Sequence, residues 1–348
     1  MKKTIAFHLN HMSERGTELS TFDYAFYNKK LLGNNSIIIA NRKKIFNSLE
    51  KFYLDSLKKF NLINDNNIKL FPKRQRSTYL KFAKNFDIFF YDDRKEIDKI
   101  CKLNNVDYFY AQKYGNKDNI YSLNAKNLNH IVFMVNEPHG HKYLYISEWL
   151  AKRMTGNPKL SVPYIVNKQN FKCKDNLKKI YNISNDKIVI ASYGGKRVFD
   201  INFVKKAIKK ILEIREDLVF MFMNTEPFLK NKNIIYLDRT IDLEKKTRFI
   251  NTSDYMIHAR ERGETFGLAV AEFSIQNKPV ITYSASPEKA HLDILKDNCL
   301  KYSSYENLLT ILKNLKKNDQ ALSNNFYECY SKFNVENVMK LFEKRFLN

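Results

Sequence analysis

Apolar residues in this chain fall in short unbroken runs, and the runs are separated by stretches patterned at helical spacing. TIAFHL (4–9) reads as a buried strand, followed by the loop NHMSERGTEL and a helical stretch to about Leu32; SIIIA (36–40) is the next strand. YFYAQ (108–112) and HIVFMV (130–135) are further β-rich runs. After residue 165 the alternation resumes. KIVIASY (187–193) is a strand, INFVKKAIKKILEI (201–214) a helix and LVFMFMN (218–224) a strand. NIIYL (233–237) and DYMIHA (254–259) follow, then a helix after Glu264 and a strand PVITYS (279–284). Strands joined by crossover helices form parallel sheets, so the fold class predicted is α/β.

Two sets of such units predict two doubly wound, Rossmann-like domains, residues 1–165 and 166–330. The expected linker is VPYIVNKQNFKCKDN (162–176), where Pro158 and Pro163 mark a break. In the final segment, 331–348, Val335, Val338, Met339, Phe342 and Phe346 share one face at helical spacing, so this helix must dock on something. A length of 348 residues with 44% hydrophobic content is enough for two full cores.

Charge widens the picture without deciding it. The net charge is +23, with 28 basic and 15 acidic residues up to position 165 and 32 and 22 beyond it, so no detachable tail carries the basicity. Such a field favours anionic partners: nucleic acid, acidic headgroups or phosphorylated small molecules. An Asn/Lys/Ile-rich composition also follows from an AT-rich genome, so charge alone selects none of these. Four cysteines, at 101, 173, 299 and 329, form no CxxC or Cys/His cluster, which argues against a zinc site or a disulfide framework. No leader-like segment opens the chain, and no run reaches the roughly 18 apolar residues of a membrane span. The expectation is a cytoplasmic protein, with peripheral contact to an anionic membrane still open. KLFPKRQRSTYLKFAKNF (69–86), basic and aromatic, is the segment that could face such a surface.

The chemistry concentrates in HARERGETFGLAVAEFSIQNKPVITY (258–283). It lies between two predicted strands, and ligands of open α/β sheets bind at the carboxyl ends of strands. A helix is expected from about Thr265 to Gln276, burying Phe266, Ala269, Val270 and Phe273. The N–H groups of Thr265, Phe266, Gly267 and Leu268 would then be unpaired at its start, an anion site, with Gly267 allowing close backbone approach. Glu264 and Glu272 stand eight positions apart, about 12 Å if the whole were helical. A carboxylate is an acceptor only, and the diols of a ribose or a pyranose are its natural partners. Taken by itself, a pair of glutamates equally fits a helix cap and an exposed helix face.

This stretch resembles the Glu, seven residues, Glu signature of retaining glycosyltransferases of the GT-B fold, especially glycosyltransferase family 4. Glu264, Phe266, Gly267, Leu268, Glu272, Pro279 and Val280 stand in register with that pattern, while Phe273 replaces its Ala and Asn277 its Gly. Asn is a common substitute where a positive φ is required. Weaker similarity extends over nearly the full chain. Gly16, Thr17 and Glu18 resemble the glycine-bearing loop after the first strand, and NEPHGHKYLYISEWLA resembles the stretch with the family's active-site histidine, here His139 or His141. VPYIVNKQNF resembles the interdomain strand without its Asn-Gly. The family's Gly-Arg and following Lys are absent from ASYGGKRVFDINFVKKA; Phe199 falls near the usual Lys, and Lys196 and Arg197 are local replacements beside Gly195.

The resemblance implies two domains facing a central cleft, the C-terminal helix crossing back to the first of them. It implies a hexosyltransferase-type enzyme that transfers a sugar, with retention, from a UDP- or GDP-type sugar to a glycan, lipid-linked or protein-linked acceptor. Glu264, His139 and Lys196 are the expected catalytic residues. Gly16, Gly195, Arg197, Arg260, Arg262, Thr265, Phe266, Gly267, Leu268 and Glu272 are the expected donor-binding residues. No cofactor is expected: the chain has no Asp-x-Asp, although Asp92 and Asp93 are adjacent, and Lys/Arg with a helix N-terminus would take the place of a metal. The alternatives are a non-transferase GT-B enzyme, such as a nucleotide-sugar epimerase, and a basic nucleic-acid-binding protein. The last accounts for the charge but not for two acids at the best anion site, so nucleic acid is not an expected partner.

Overall fold

A computed structural model describes residues 2–13, 16–46, 76–168, 177–317 and 326–348. It divides into two compact units: Met1–Ile165 with Val335–Asn348, and Val166–Asn334. The expected linker falls partly outside the described residues, as do Cys173, Glu14, Arg15 and positions 69–75 of the basic aromatic segment.

The first unit is built on β1 (Thr4–Leu9), β2 (Asn35–Asn41), β3 (Ile88–Tyr91), β4 (Tyr108–Lys113), β5 (Lys126–Ile131) and β6 (Lys142–Tyr145). These pair in parallel in the order β3-β2-β1-β4-β5-β6, the doubly wound order with its switch beside β1. The central strand β1 is buried from Ile5 to Leu9 and apolar there except for His8, as a strand covered by helices on both sides must largely be. Expected strand HIVFMV is displaced: β5 spans Lys126–Ile131 and takes in polar Asn129 and His130. Burial of these two is possible because each is satisfied. Asn129 donates to the His139 carbonyl (2.7 Å), and the His130 ring contacts the Tyr110 hydroxyl (2.6 Å) and the Val162 carbonyl (2.7 Å).

Helix Val335–Phe342 belongs to this first unit, and its buried face is the set Val335, Val338, Met339 and Phe342. Phe342 stacks on Tyr24 (5.2 Å between centroids) and on Phe7 (6.4 Å), which ties the chain end to the central strand. In helix Arg76–Ala83, Tyr79 and Phe82 are buried, and Phe82 and Phe86 pack on Phe22. Tyr79, Phe82 and Phe86 therefore belong to the core and are not available to a surface.

The second unit carries β7 (Ile188–Tyr193), β8 (Leu218–Met223), β9 (Ile234–Leu237), β10 (Tyr255–His258), β11 (Gly263–Glu264), β12 (Val280–Tyr283), β13 (Glu288–Lys289) and β14 (Cys299–Tyr302). Six of them form a parallel sheet in the order β14-β12-β10-β7-β8-β9, the same winding as in the first unit. The two-residue strands β11 and β13 pair separately. Helix Asn202–Leu212 buries Val204, Ala207, Ile208 and Ile211 at helical spacing and leaves Lys206, Lys209 and Lys210 in solvent. With Phe199, Phe220, Phe222, Ile257 and Tyr302 it closes one continuous core. The doubly wound α/β class predicted from the apolar runs is thus present twice.

Candidate functional site

The stretch 258–283 starts at the carboxyl end of β10 and returns into β12. Its local course is set by Gly263, at φ +78°, where an added Cβ would lie 2.0 Å from the Glu288 carbonyl oxygen. That close approach lets β11 pair with β13, Gly263 opposite Glu288 and Glu264 opposite Lys289. Glu264 is thereby fixed by backbone hydrogen bonding before any helix begins.

The helix is shorter than expected. It spans Leu268–Ser274, and Gly267, at φ +88° and ψ 62°, is its N-cap. A left-handed residue cannot continue a right-handed helix toward Thr265, so Thr265 and Phe266 precede the helix instead of opening it. The groups without intrahelical acceptors are the first-turn N–H groups from Leu268 onward. The N-cap is Gly267, and the Glu264 carboxylate is directed to Arg260 and His258 instead of capping the helix. Phe266, Val270 and Phe273 are buried as expected, while Ala269 is only partly so and Ala271 is buried. At the other end Asn277 adopts φ 55°, the left-handed conformation for which Asn was the anticipated substitute, and its Oδ1 accepts from the Tyr327 N–H (2.9 Å).

Glu264 is gripped on both oxygens. Arg260 Nη1 donates to Oε2 at 2.8 Å, and His258 Nε2 faces Oε1 at 3.4 Å. Burial by itself raises the carboxyl; the His258 hydrogen bond and the Arg260 charge outweigh it and hold the group at about 2. Glu264 is therefore ionised at neutral pH, and each oxygen keeps a lone pair for a further donor. Behind it, His258 Nδ1 contacts Thr282 Oγ1 (2.9 Å), and the same hydroxyl contacts His291 Nε2 (3.1 Å).

Glu272 receives an ion pair from Lys246 of helix Leu243–Thr252; Lys246 also lies over the Tyr193 ring, 5.5 Å from its centroid. Arg262 Nε donates to Glu288 (2.7 Å), a carboxyl that burial raises in spite of this bond. The other predicted cations stand apart from this group. Lys196 and Arg197 have side chains 70% and 85% exposed and share Glu226 as their ionic partner (3.9 and 3.2 Å). Gly195 is in the same turn, and the Gly194 carbonyl accepts from Asn224 (2.7 Å). The structure therefore brings Arg260, Glu264 and Gly267 together, with Arg262 held by Glu288, and places Lys196 and Arg197 in solvent.

In the first unit, Gly16 is the exposed first residue of helix Gly16–Lys30. Thr17 donates to the Glu18 carboxylate (2.7 Å), and Glu18 is buried. His139 Nδ1 contacts the Glu137 carbonyl (2.6 Å), while its buried Nε2 has no partner among the described residues. His141 is exposed. Asp92 pairs with Arg42 (3.3 Å) and Asp93 caps helix Arg94–Leu103, so both acids serve local structure. Among the described residues, no three His, Cys, Asp or Glu side chains cluster as metal ligands, and no helix is long and apolar enough to cross a membrane.

Four residues at this site carry no sequence motif: His258, Thr282, His291 and Lys246. For two of them a signal existed. His258 and Thr282 are polar residues inside otherwise apolar strands, and polar positions at the carboxyl ends of strands mark sites in this fold class.

The buried histidines have a measurable consequence. Burial holds His8 at about 3, His130 at about 4 and His291 at about 3. All three are neutral in the folded chain and take up a proton on unfolding once the pH drops below about 6.5. Their stabilisation is complete above that value and is lost as pH falls. From neutral pH to pH 5 each should cost about 2 kcal/mol. Glu264 adds its own loss only between about 4.5 and 2. Urea titrations at pH 7.5 and 5 should show the midpoint falling; equal midpoints would mean that these histidines can be protonated in place.

No family model matches the chain, and no curated protein sequence matches it. Solved structures do. A glycosyltransferase from Rickettsia africae superposes with a TM-score of 0.60 at 17% identity, over 98% of this chain and 94% of that one. HepE of Anabaena, solved with UDP and glucose, gives 0.62 at 10% identity over 98% of both chains. A Listeria monocytogenes protein described as a UDP-N-acetylglucosamine 2-epimerase gives 0.55 at 11%, over 100% of this chain and 97% of that one. With its two parallel six-stranded sheets, the chain has the α/β fold of the GT-B glycosyltransferases, matched over its full length.

Proposed function

We propose that this protein is a glycosyltransferase, similar to family 4, that moves a sugar from a nucleotide-diphosphate sugar to a glycan, lipid-linked or protein-linked acceptor. Transfer would proceed with retention at the anomeric carbon and without a metal. The observation that carries the reading is Glu264: a carboxylate held ionised by Arg260 and His258, beside a glycine-opened backbone, with acceptor capacity left for sugar hydroxyls.

In this reading Glu264 orients the donor sugar and Glu272 receives the ribose hydroxyls, steadied by Lys246. Cleavage of the sugar–phosphate bond places charge on the leaving diphosphate, which fixed cations and N–H dipoles must stabilise. Arg260, Arg262 and the first-turn N–H groups from Leu268 are the nearest supply along the chain. Lys196 and Arg197 are mobile supplements, since an exposed pair sharing one carboxylate is weakly held. The acceptor attacks on the face from which the diphosphate leaves, and a diphosphate oxygen takes its proton, so no protein nucleophile is needed. His139 and Gly16 belong to the first unit, where the acceptor is expected. A cavity of ≈ 610 Å³ there is lined by residues of both charges, among them Asn10, Lys44, Asp92, Asp93 and Arg94, groups that can bond a hydroxylated acceptor.

An epimerase of the same fold is the competing reading, because a protein so described shares the architecture. Nucleotide-diphosphate release separates the two. Release that depends on added acceptor supports transfer; an altered nucleotide sugar formed without acceptor supports the epimerase.

A further inference from the structure

Glu264 does not stand alone: a line of buried polar side chains runs behind it. β10 and β12 are parallel neighbours with His258 opposite Thr282, so both side chains leave the sheet on the same face. His291, on helix Ala290–Leu295, closes the line from the other side of Thr282, its ring 4.8 Å from that of His258. Thr282 and His291 are fully buried, and His258 is nearly so.

The Thr282 hydroxyl has one hydrogen to give, so it donates to at most one of the two ring nitrogens it meets. Were both rings to donate to it, His258 would turn a bare Nε2 toward Glu264. In one direction His291 donates from Nε2 to Thr282, which donates to His258 Nδ1. His258 then carries its hydrogen on Nε2, where it faces Glu264. In the other direction His258 donates from Nδ1 to Thr282, which donates to His291 Nε2. That arrangement moves the His291 hydrogen to Nδ1, a buried atom with no partner among the described residues. It also turns a bare Nε2 lone pair of His258 toward a carboxylate, where the first direction presents a hydrogen. A buried orphan N–H is rarer in proteins than an under-used acceptor, and an unmet donor costs its full desolvation. Both penalties fall on the second direction.

We infer that His291, Thr282 and His258 form a one-way hydrogen-bond chain that fixes the His258 tautomer and, through it, the position of the Glu264 carboxylate. Thr282 and His291 are thus positioning residues for the acid that receives the sugar hydroxyl, a role that rests on the transferase reading above. The chain itself does not rest on it.

Imidazole proton–nitrogen correlation spectra of the full chain labelled with [15N]histidine test this directly, since the protein has only seven histidines. H258Q and H291Q variants assign the signals. The expected result is a hydrogen on Nε2 of both rings, retained in T282S; T282V should release His258 into a tautomer mixture. A His291 hydrogen on Nδ1, or a His258 pattern unaffected by T282V, overturns the inference. With a nucleotide-sugar donor, T282V should lower kcat about fivefold to tenfold with KM nearly unchanged, and T282S should restore most of it. A T282V enzyme that folds, by its melting curve, and keeps the parent kcat overturns the positioning role. If the parent chain transfers no sugar from any donor, the functional reading falls, and the spectra still decide the direction of the chain.

Discussion

Replacing Glu264 by Gln should reduce sugar transfer by about a hundredfold to a thousandfold while leaving affinity for the free nucleotide diphosphate within a few-fold of the parent. In the proposed reaction Glu264 is a preorganised charged group on the reacting sugar, and losing such a group costs roughly 3–4 kcal/mol in comparable sites. The selectivity follows from geometry. Gln keeps one oxygen acceptor and the shape of the side chain, so β11 and the Gly267 turn should persist and the phosphate contacts with them. Arg260 would lose its ionic partner, however, and a partly buried cation left unpaired destabilises the fold. The variant should therefore melt below the parent, and transfer must be compared well under that temperature. The check is steady-state transfer beside calorimetric titration of the nucleotide diphosphate. Transfer near the parental rate would remove Glu264 from the reaction, and loss of diphosphate binding would make its role structural.

Gly263→Ala should be the most damaging small substitution in the second unit. The new Cβ would sit 2.0 Å from a backbone oxygen and 2.6 Å from Ser286 Cβ, at a φ of +78° that alanine also resists. Neither neighbour is the free end of a flexible side chain, so the β11–β13 pair must separate. We expect a loss of about 3–5 kcal/mol in urea unfolding, the sum of left-handed strain and a backbone clash. Because the same pairing positions Glu264, transfer should fall together with stability. A loss below about 1 kcal/mol would show that the pair is not required.

The architecture was legible wherever burial required continuous apolar runs, as in β1, β2, β7, β8, β10 and β12. It was less legible at the sheet margins. β6 is an edge strand whose first half is only partly buried, and its KYLY sequence offers no long apolar run. β5 is displaced for a related reason: Lys126, Asn127 and Asn129 offer no apolar run, and Asn129 is buried only because the His139 carbonyl accepts its amide hydrogen. Motif spacing pointed to Glu264, Gly267 and Glu272, but the start of the helix between them depended on one dihedral angle. Periodicity does not report the sign of φ at Gly267, and by itself it extends the helix to Thr265.

The cations were the least legible. Position along the chain put Lys196 and Arg197 near the diphosphate, whereas their side chains are solvated and share Glu226. Which way a long side chain points from a loop is set by its partners, and a partner 29 positions away leaves no local trace. Lys246 illustrates the converse. It lies in a helix that reads as an ordinary charged surface helix, and only the packing of that helix places it on Glu272.

The central claim is that residues 258–283 form a nucleotide-sugar site, and ligand-dependent thermal stability of the full chain tests it most directly. Binding to the folded state alone stabilises by about 2.7 kcal/mol at a hundred times Kd, a shift of a few degrees for a chain of this size. The account predicts that UDP- or GDP-sugars raise the melting temperature in a saturable way. No shift with any UDP-, GDP- or dTDP-sugar at millimolar concentration would contradict it.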